Sequence, residues 1–138
     1  MTSVDTPGAA RLNRPRPIRS FPFAETIDVT AAFATPDEPS PCLPSATAVW
    51  YTLGPLGSGT LIVDLAGSTP YDAIVRVYRS IHTRSEKPEF IGCASPVWNG
   101  QLALEVPVRC NDALLAQIGT SESRGGTIVV RAEFHATR

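Results

Sequence analysis

The sequence predicts an all-β chain. The expected architecture is a single antiparallel β-sandwich, jelly-roll-like, of about eight strands behind an extended N-terminal arm. Three observations carry this. Apolar residues recur with period two in short runs, as in Val49/Tyr51/Leu53 and Ile128/Val130/Ala132/Phe134. Proline and glycine clusters such as Gly67-Ser68-Thr69-Pro70 cut the runs at regular intervals. Helix signals are poor: Asn111–Ile118, with Asp112 as a cap, is too short and too β-rich in its flanks.

The chain has 138 residues, 43 % of them hydrophobic, which suits one domain with its own core and not two. A boundary is expected between an arm over residues 1–23 and a sandwich over residues 24–138. The arm holds Pro7, Pro15, Pro17 and Pro22, so it should run extended. It also holds Arg11, Arg14, Arg16 and Arg19 against Asp5 alone, a net charge of +3, which leaves −4 for the rest of a chain whose total is −1. That total argues against nucleic acid as a general partner. No apolar stretch reaches the length of a membrane span, and no secretory h-region follows Met1.

The strands are expected in this order. Thr26–Thr30 comes first, and a Pro-rich loop follows over Thr35–Ser45. Ala48–Leu53 puts Val49, Tyr51 and Leu53 on one face and Trp50 on the other. Thr60–Leu65 leads to the Gly67–Pro70 turn, and Asp72–Tyr78 turns Ala73, Val75 and Val77 to one side. A charged loop over Arg79–Pro88 precedes the short strand Glu89–Cys93. Gln101–Val106 alternates Leu102, Leu104 and Val106 against Ala103 and Glu105, and Pro107–Asp112 is read as a turn. Ala113–Ile118 and Gly126–Phe134 complete the set, each sheet having one buried face.

Between Asp37 and Tyr78 stand Asp37-Glu38-Pro39-Ser40-Pro41-Cys42, Val49-Trp50-Tyr51-Thr52-Leu53, Gly59-Thr60-Leu61-Ile62-Val63-Asp64 and Tyr71-Asp72 through Val77-Tyr78. In order and spacing these motifs resemble the bacterial pre-peptidase C-terminal family, over roughly residues 20–135. The resemblance implies a jelly-roll sandwich that binds or displays and seldom catalyses. It also implies a bridge between Cys42 and Cys93, tying the Pro-rich loop to the strand after Val77. A reducing compartment would leave those thiols open. Where family members carry Cys-Asn-Asp, this chain reads Cys93-Ala94-Ser95, which weakens any cation-binding role for that segment. Some relatives bind calcium through the acidic loop, so Asp37, Glu38, Asp64 and Asp72 are the metal candidates. The alternative is that Asp37 caps a turn and Asp72 bonds backbone at a strand start.

Catalytic chemistry finds little purchase. His82 falls in a charged loop and His135 near the end of the chain, without a Gly-x-Ser-x-Gly context. Cys42, Cys93 and Cys110 lack metal or redox spacing, and their odd number leaves at least one free or intermolecular thiol, with Cys110 in a turn the expected one. No cofactor is implied. Trp50 and Tyr51 point to opposite faces of a strand, so at least one belongs to the core. Trp98, within Pro96-Val97-Trp98-Asn99-Gly100, is the candidate exposed contact.

The expected function is therefore a non-enzymatic structural or binding module. One version is a virion surface protein, a phage capsid-decoration or tail component anchored through the arm; the sandwich also resembles phage minor tail proteins. The other is an accessory domain of a secreted protease or other surface enzyme that binds substrate polymer, polysaccharide or cell wall.

Overall fold

A computed structural model of the protein describes residues 4–5, 15–35, 38–79 and 88–137. Among them run ten strands: β1 (Val4–Asp5), β2 (Arg16–Ile18), β3 (Phe23–Asp28), β4 (Thr47–Leu56), β5 (Gly59–Asp64), β6 (Ala73–Arg79), β7 (Glu89–Ala94), β8 (Ala103–Val108), β9 (Asp112–Thr120) and β10 (Thr127–Ala136). They form two five-stranded sheets, ordered β1-β3-β10-β5-β8 and β2-β4-β9-β6-β7. All neighbours are antiparallel except β1 along β3 and β2 along β4. Without β1 and β2, the orders β3-β10-β5-β8 and β4-β9-β6-β7 are those of a two-sheet jelly roll.

Period-two patterning builds the core. Val49, Tyr51 and Leu53 of β4 meet Val75 and Val77 of β6, Leu61 and Val63 of β5, and Ile128 and Val130 of β10 between the sheets. Each such side chain, fully buried, contributes roughly 1.5–3 kcal/mol of apolar transfer energy. Gly119 allows a close approach of β9 to β4, since a Cβ there would lie 1.9 Å from the Thr47 carbonyl oxygen. Pro107, expected in a turn, lies inside β8. That strand is the edge of its sheet, where a missing N–H costs no ladder bond. Leu102, expected on the buried face, is exposed: the strand begins one residue later, and the Leu102 carbonyl instead accepts the Leu65 amide at 2.9 Å.

The second sheet is buried on both faces, which alternation alone does not announce. On its outer face one register row runs Trp50–Gln117–Arg76–Cys93 across β4, β9, β6 and β7. The Pro-rich loop of residues 38–46 is fastened to this row at three points. The Trp50 indole donates to Glu38 at 2.6 Å. The Arg76 guanidinium donates to the carbonyls of Pro41 at 2.8 Å and Leu43 at 2.6 Å. Cys42 and Cys93 are disulfide-bonded, as the family resemblance implied. The loop and Tyr78 leave Trp50 completely buried; Tyr51, on the core side, is buried as well. Burial pushes the Tyr78 phenol up and the Arg76 guanidinium down from their ordinary values.

The arm departs from its expected outline. Arg16–Ile18 is an edge strand of the second sheet, with Arg16 opposite Tyr51 and Ile18 opposite Leu53. The cause is local: Ile18 has a core site to fill and is buried there, and Pro17 points outward. Val4 and Asp5 lie beside Thr26 and Ile27 of β3.

Candidate functional site

All four connections that join β3 to β4, β5 to β6, β7 to β8 and β9 to β10 emerge at the same end of the sandwich, because each strand of one sheet hands over to the other sheet there. Five of the six large hydrophobic side chains exposed among the described residues belong to these connections: Phe33, Tyr71, Val97, Trp98 and Leu102. Exposed apolar groups gathered at one end mark a contact surface more than scattered ones do. The sixth, Phe90, sits on β7.

The Trp98 connection is the most firmly built. The Ser95 carbonyl accepts the amides of Trp98, Asn99 and Gly100, each at 3.1 Å. The Asn99 side chain then closes the turn from inside: its Oδ1 accepts the Ser95 amide at 3.1 Å and the Gln101 amide at 3.3 Å, and its Nδ2 donates to the Cys93 carbonyl at 3.2 Å. Gly100 takes a φ of 73°, which favours glycine. The result is a turn with few ways to move, holding a tryptophan that is 54 % exposed.

Across the same end stands Tyr71, 63 % exposed, after Pro70 and before the buried Asp72. The Glu122 carboxylate, and after it Asp72, push the Tyr71 phenol above its ordinary value. Asp72 anchors the β9–β10 connection, accepting the amides of Glu122 at 2.6 Å and Ser123 at 2.8 Å. Burial works to raise the Asp72 carboxyl; hydrogen bonds from Ser123 and Glu122 outweigh it, so it is held below its ordinary value.

The calcium candidates do not converge. Asp64 accepts the Ala66 amide at 2.7 Å, Asp72 holds the β9–β10 connection, and Glu38 is taken by the Trp50 indole and by the Thr35 amide and hydroxyl. Asp37 lies outside the described residues. Among the described residues no three His, Cys, Asp or Glu side chains gather as a metal site. The physical reason is that each carboxylate already satisfies donors of its own turn or of the latched loop.

Of the four arm arginines, Arg11 and Arg14 lie outside the described residues. Arg16 is not simply a free anchor for a partner: it pairs with Glu25 at 2.7 Å, and Glu25 also accepts the Tyr51 hydroxyl at 2.7 Å, which ties the two sheets together. Arg19 stays exposed and lines an open depression of about 290 Å³ with Pro17, Ile18, Phe21 and Leu56, at the opposite end of the molecule. Cys110 is an exposed free thiol. His135 is exposed beside Glu133 at 3.2 Å, and His82 lies outside the described residues. Among the described residues no helix is long and apolar enough to cross a membrane.

Sequence reasoning found Trp98 but missed Tyr71, Phe33 and the locking role of Asn99. The Asn99-Gly100 pair was a legible turn signal. Tyr71 and Phe33 were not separable from core aromatics until the topology placed their connections together.

No protein-family model matches the chain, and no curated protein does. Among solved structures, the chain is similar to Aeromonas hydrophila PliG, a periplasmic lysozyme inhibitor of g-type lysozyme. The TM-score is 0.55 over 87 % of this chain and 95 % of that chain, at 15 % sequence identity. At that identity the likeness is one of fold, and it agrees with the all-β sandwich described above.

Proposed function

We propose that this chain is a non-enzymatic protein-binding module that works outside the reducing cytosol and grips its partner through the loop end tipped by Trp98. The observation that carries the reading is the Ser95–Gly100 turn, whose hydrogen-bonded backbone presents a half-exposed tryptophan to solvent. Pre-organised aromatic side chains lose little entropy on binding and are frequent hot spots. The Cys42–Cys93 bond supports the setting, because such bonds persist in oxidising compartments.

The fold is shared with a protein named for inhibiting g-type lysozyme, and an enzyme of that type is the first partner we propose. The test is the rate at which g-type lysozyme clears suspended cell walls, titrated with this protein. Saturable inhibition is expected, weakened about 30-fold by Trp98→Ala if the side chain carries a hot spot of about 2 kcal/mol. Undiminished lysis, with no complex by surface plasmon resonance, removes this partner. Kinship with the pre-peptidase C-terminal family belongs to the same proposal, and so do two settings for the module: a capsid or tail shell reached through the N-terminal arm over residues 1–23, and a secreted enzyme. Mass spectrometry of purified virions separates them, since the chain must be present there in fixed ratio to the coat protein.

A further inference from the structure

We propose that the loop end docks a cationic protein surface, one that sets arginine or lysine side chains around an apolar recess; this rests on reading that end as the contact surface. The loops at this end and the strand termini that carry them hold Asp28, Glu38, Asp64, Asp72 and Glu122 among the described residues, against Arg124 alone. That local balance is −4, and the remaining described residues, Arg76 beneath the Pro-rich loop among them, sum to zero, so the negative charge of the described residues is concentrated at this end. The elevated Tyr71 phenol reports the same negative field at the surface.

Two features join here that separately would mean less. The carboxylates of Asp28 and Glu122 are exposed, while Val97, Trp98, Tyr71 and Leu102 stand exposed among them. A partner of like charge would be repelled, and a neutral surface would gain nothing from the field. A cationic one gains three times over: long-range attraction speeds encounter, guanidinium or ammonium groups can lie on the faces of Trp98 and Tyr71, and apolar stems or pockets cover Val97 and Leu102. Asp72 Oδ2 and Asp64 Oδ1 are held in place by backbone amides of the connections at this end. Their charge therefore acts as a fixed field.

The experiment uses the whole oxidised protein and a short arginine–leucine peptide as probe, with a glutamate–leucine peptide as control. Amide shifts in two-dimensional NMR locate the binding. The expected result is that the basic peptide perturbs residues 69–72, 95–102 and 121–124, and that the acidic peptide perturbs nothing. Affinity should fall roughly tenfold between about 50 mM and about 0.3 M salt. Glu122→Lys should weaken binding at least fivefold, and Trp98→Ala similarly, with both variants keeping the wild-type spectrum elsewhere. Binding mapped to the Arg19 side, equal responses to both peptides, indifference to Glu122→Lys, or no binding at all overturns the proposal. Because this assay contains no lysozyme, peptide binding at the loop end together with undiminished lysis would retire the first partner and keep the surface.

Discussion

Replacing Cys42 and Cys93 by serine tests how the Pro-rich loop is held. The bridge joins residues 51 apart in sequence. In the chain-entropy treatment, closing a loop of that length costs the unfolded chain about 14 cal/mol/K, or about 4 kcal/mol at 25 °C. For a chain of 138 residues the unfolding entropy near the midpoint is about 290 cal/mol/K, so the double variant should melt about 14 °C lower. The loop itself should stay in place, because the Arg76 guanidinium and the Glu38–Trp50 bond fasten it independently of the sulfurs. Differential scanning calorimetry gives the first quantity. The emission maximum of Trp50 in a Trp98→Phe background gives the second, and it should remain that of a buried indole until the main transition. A loss under about 3 °C, or a red-shifted Trp50 in the native baseline, would refute this account of a bridge that acts on the unfolded chain over a loop latched by other means.

Four further outcomes are expected. Asp72→Asn should cost about 1–2 kcal/mol at pH 7 by weakening the charged hydrogen bonds to Glu122 and Ser123. The folded Asp72 carboxyl is held low, so its stabilisation is present above the unfolded value near about 4 and is lost as pH falls through the folded value. The gap in Tm between wild type and Asp72→Asn should therefore narrow below about pH 4, and a constant gap down to about pH 2 would count against it. Gly119→Ala drives a Cβ against the Thr47 carbonyl and should cost about 3 kcal/mol or more in urea unfolding. Trp98→Ala should change stability by under about 0.5 kcal/mol, since the side chain is half exposed, while Asn99→Ala should loosen the turn and weaken partner binding with the tryptophan still present. Glu122→Gln should lower the Tyr71 phenol toward its ordinary value in a spectrophotometric titration.

Eight of the ten strands were legible, to within a few residues at their ends, because most of β3 to β10 carry a period-two apolar face bounded by turn residues. What alternation could not convey was a second covering layer. Trp50, Arg76, Gln117 and Tyr78 look like solvent-facing positions beside Val49, Val75, Ala116 and Val77, yet all four are buried on the face covered by a loop rich in proline and serine. Arg76 in particular reads as a surface charge until the carbonyls that receive it are seen. The edge strand Arg16–Ile18 was hidden by its flanking prolines, which suggest an arm, and by its length of three residues. At the loop end the individual residues were visible but their meeting was not. Phe33, Tyr71, Trp98 and Glu122 are far apart in sequence, and only the order of strands in the two sheets brings their connections to one end.

The Trp50–Gln117–Arg76–Cys93 row bears on how the chain verifies its own pairing. Cys93 faces outward because it stands opposite Arg76, and β7 already absorbs an irregularity between Val77 and Tyr78. Slipping β7 by a single residue along β6 would turn Cys93 toward the sheet interior and away from Cys42. In the folded chain the bridge is therefore compatible with this alignment of the strands and not with the slipped one. The covalent link thus records the register in chemistry, a choice that hydrogen bonds alone would leave reversible.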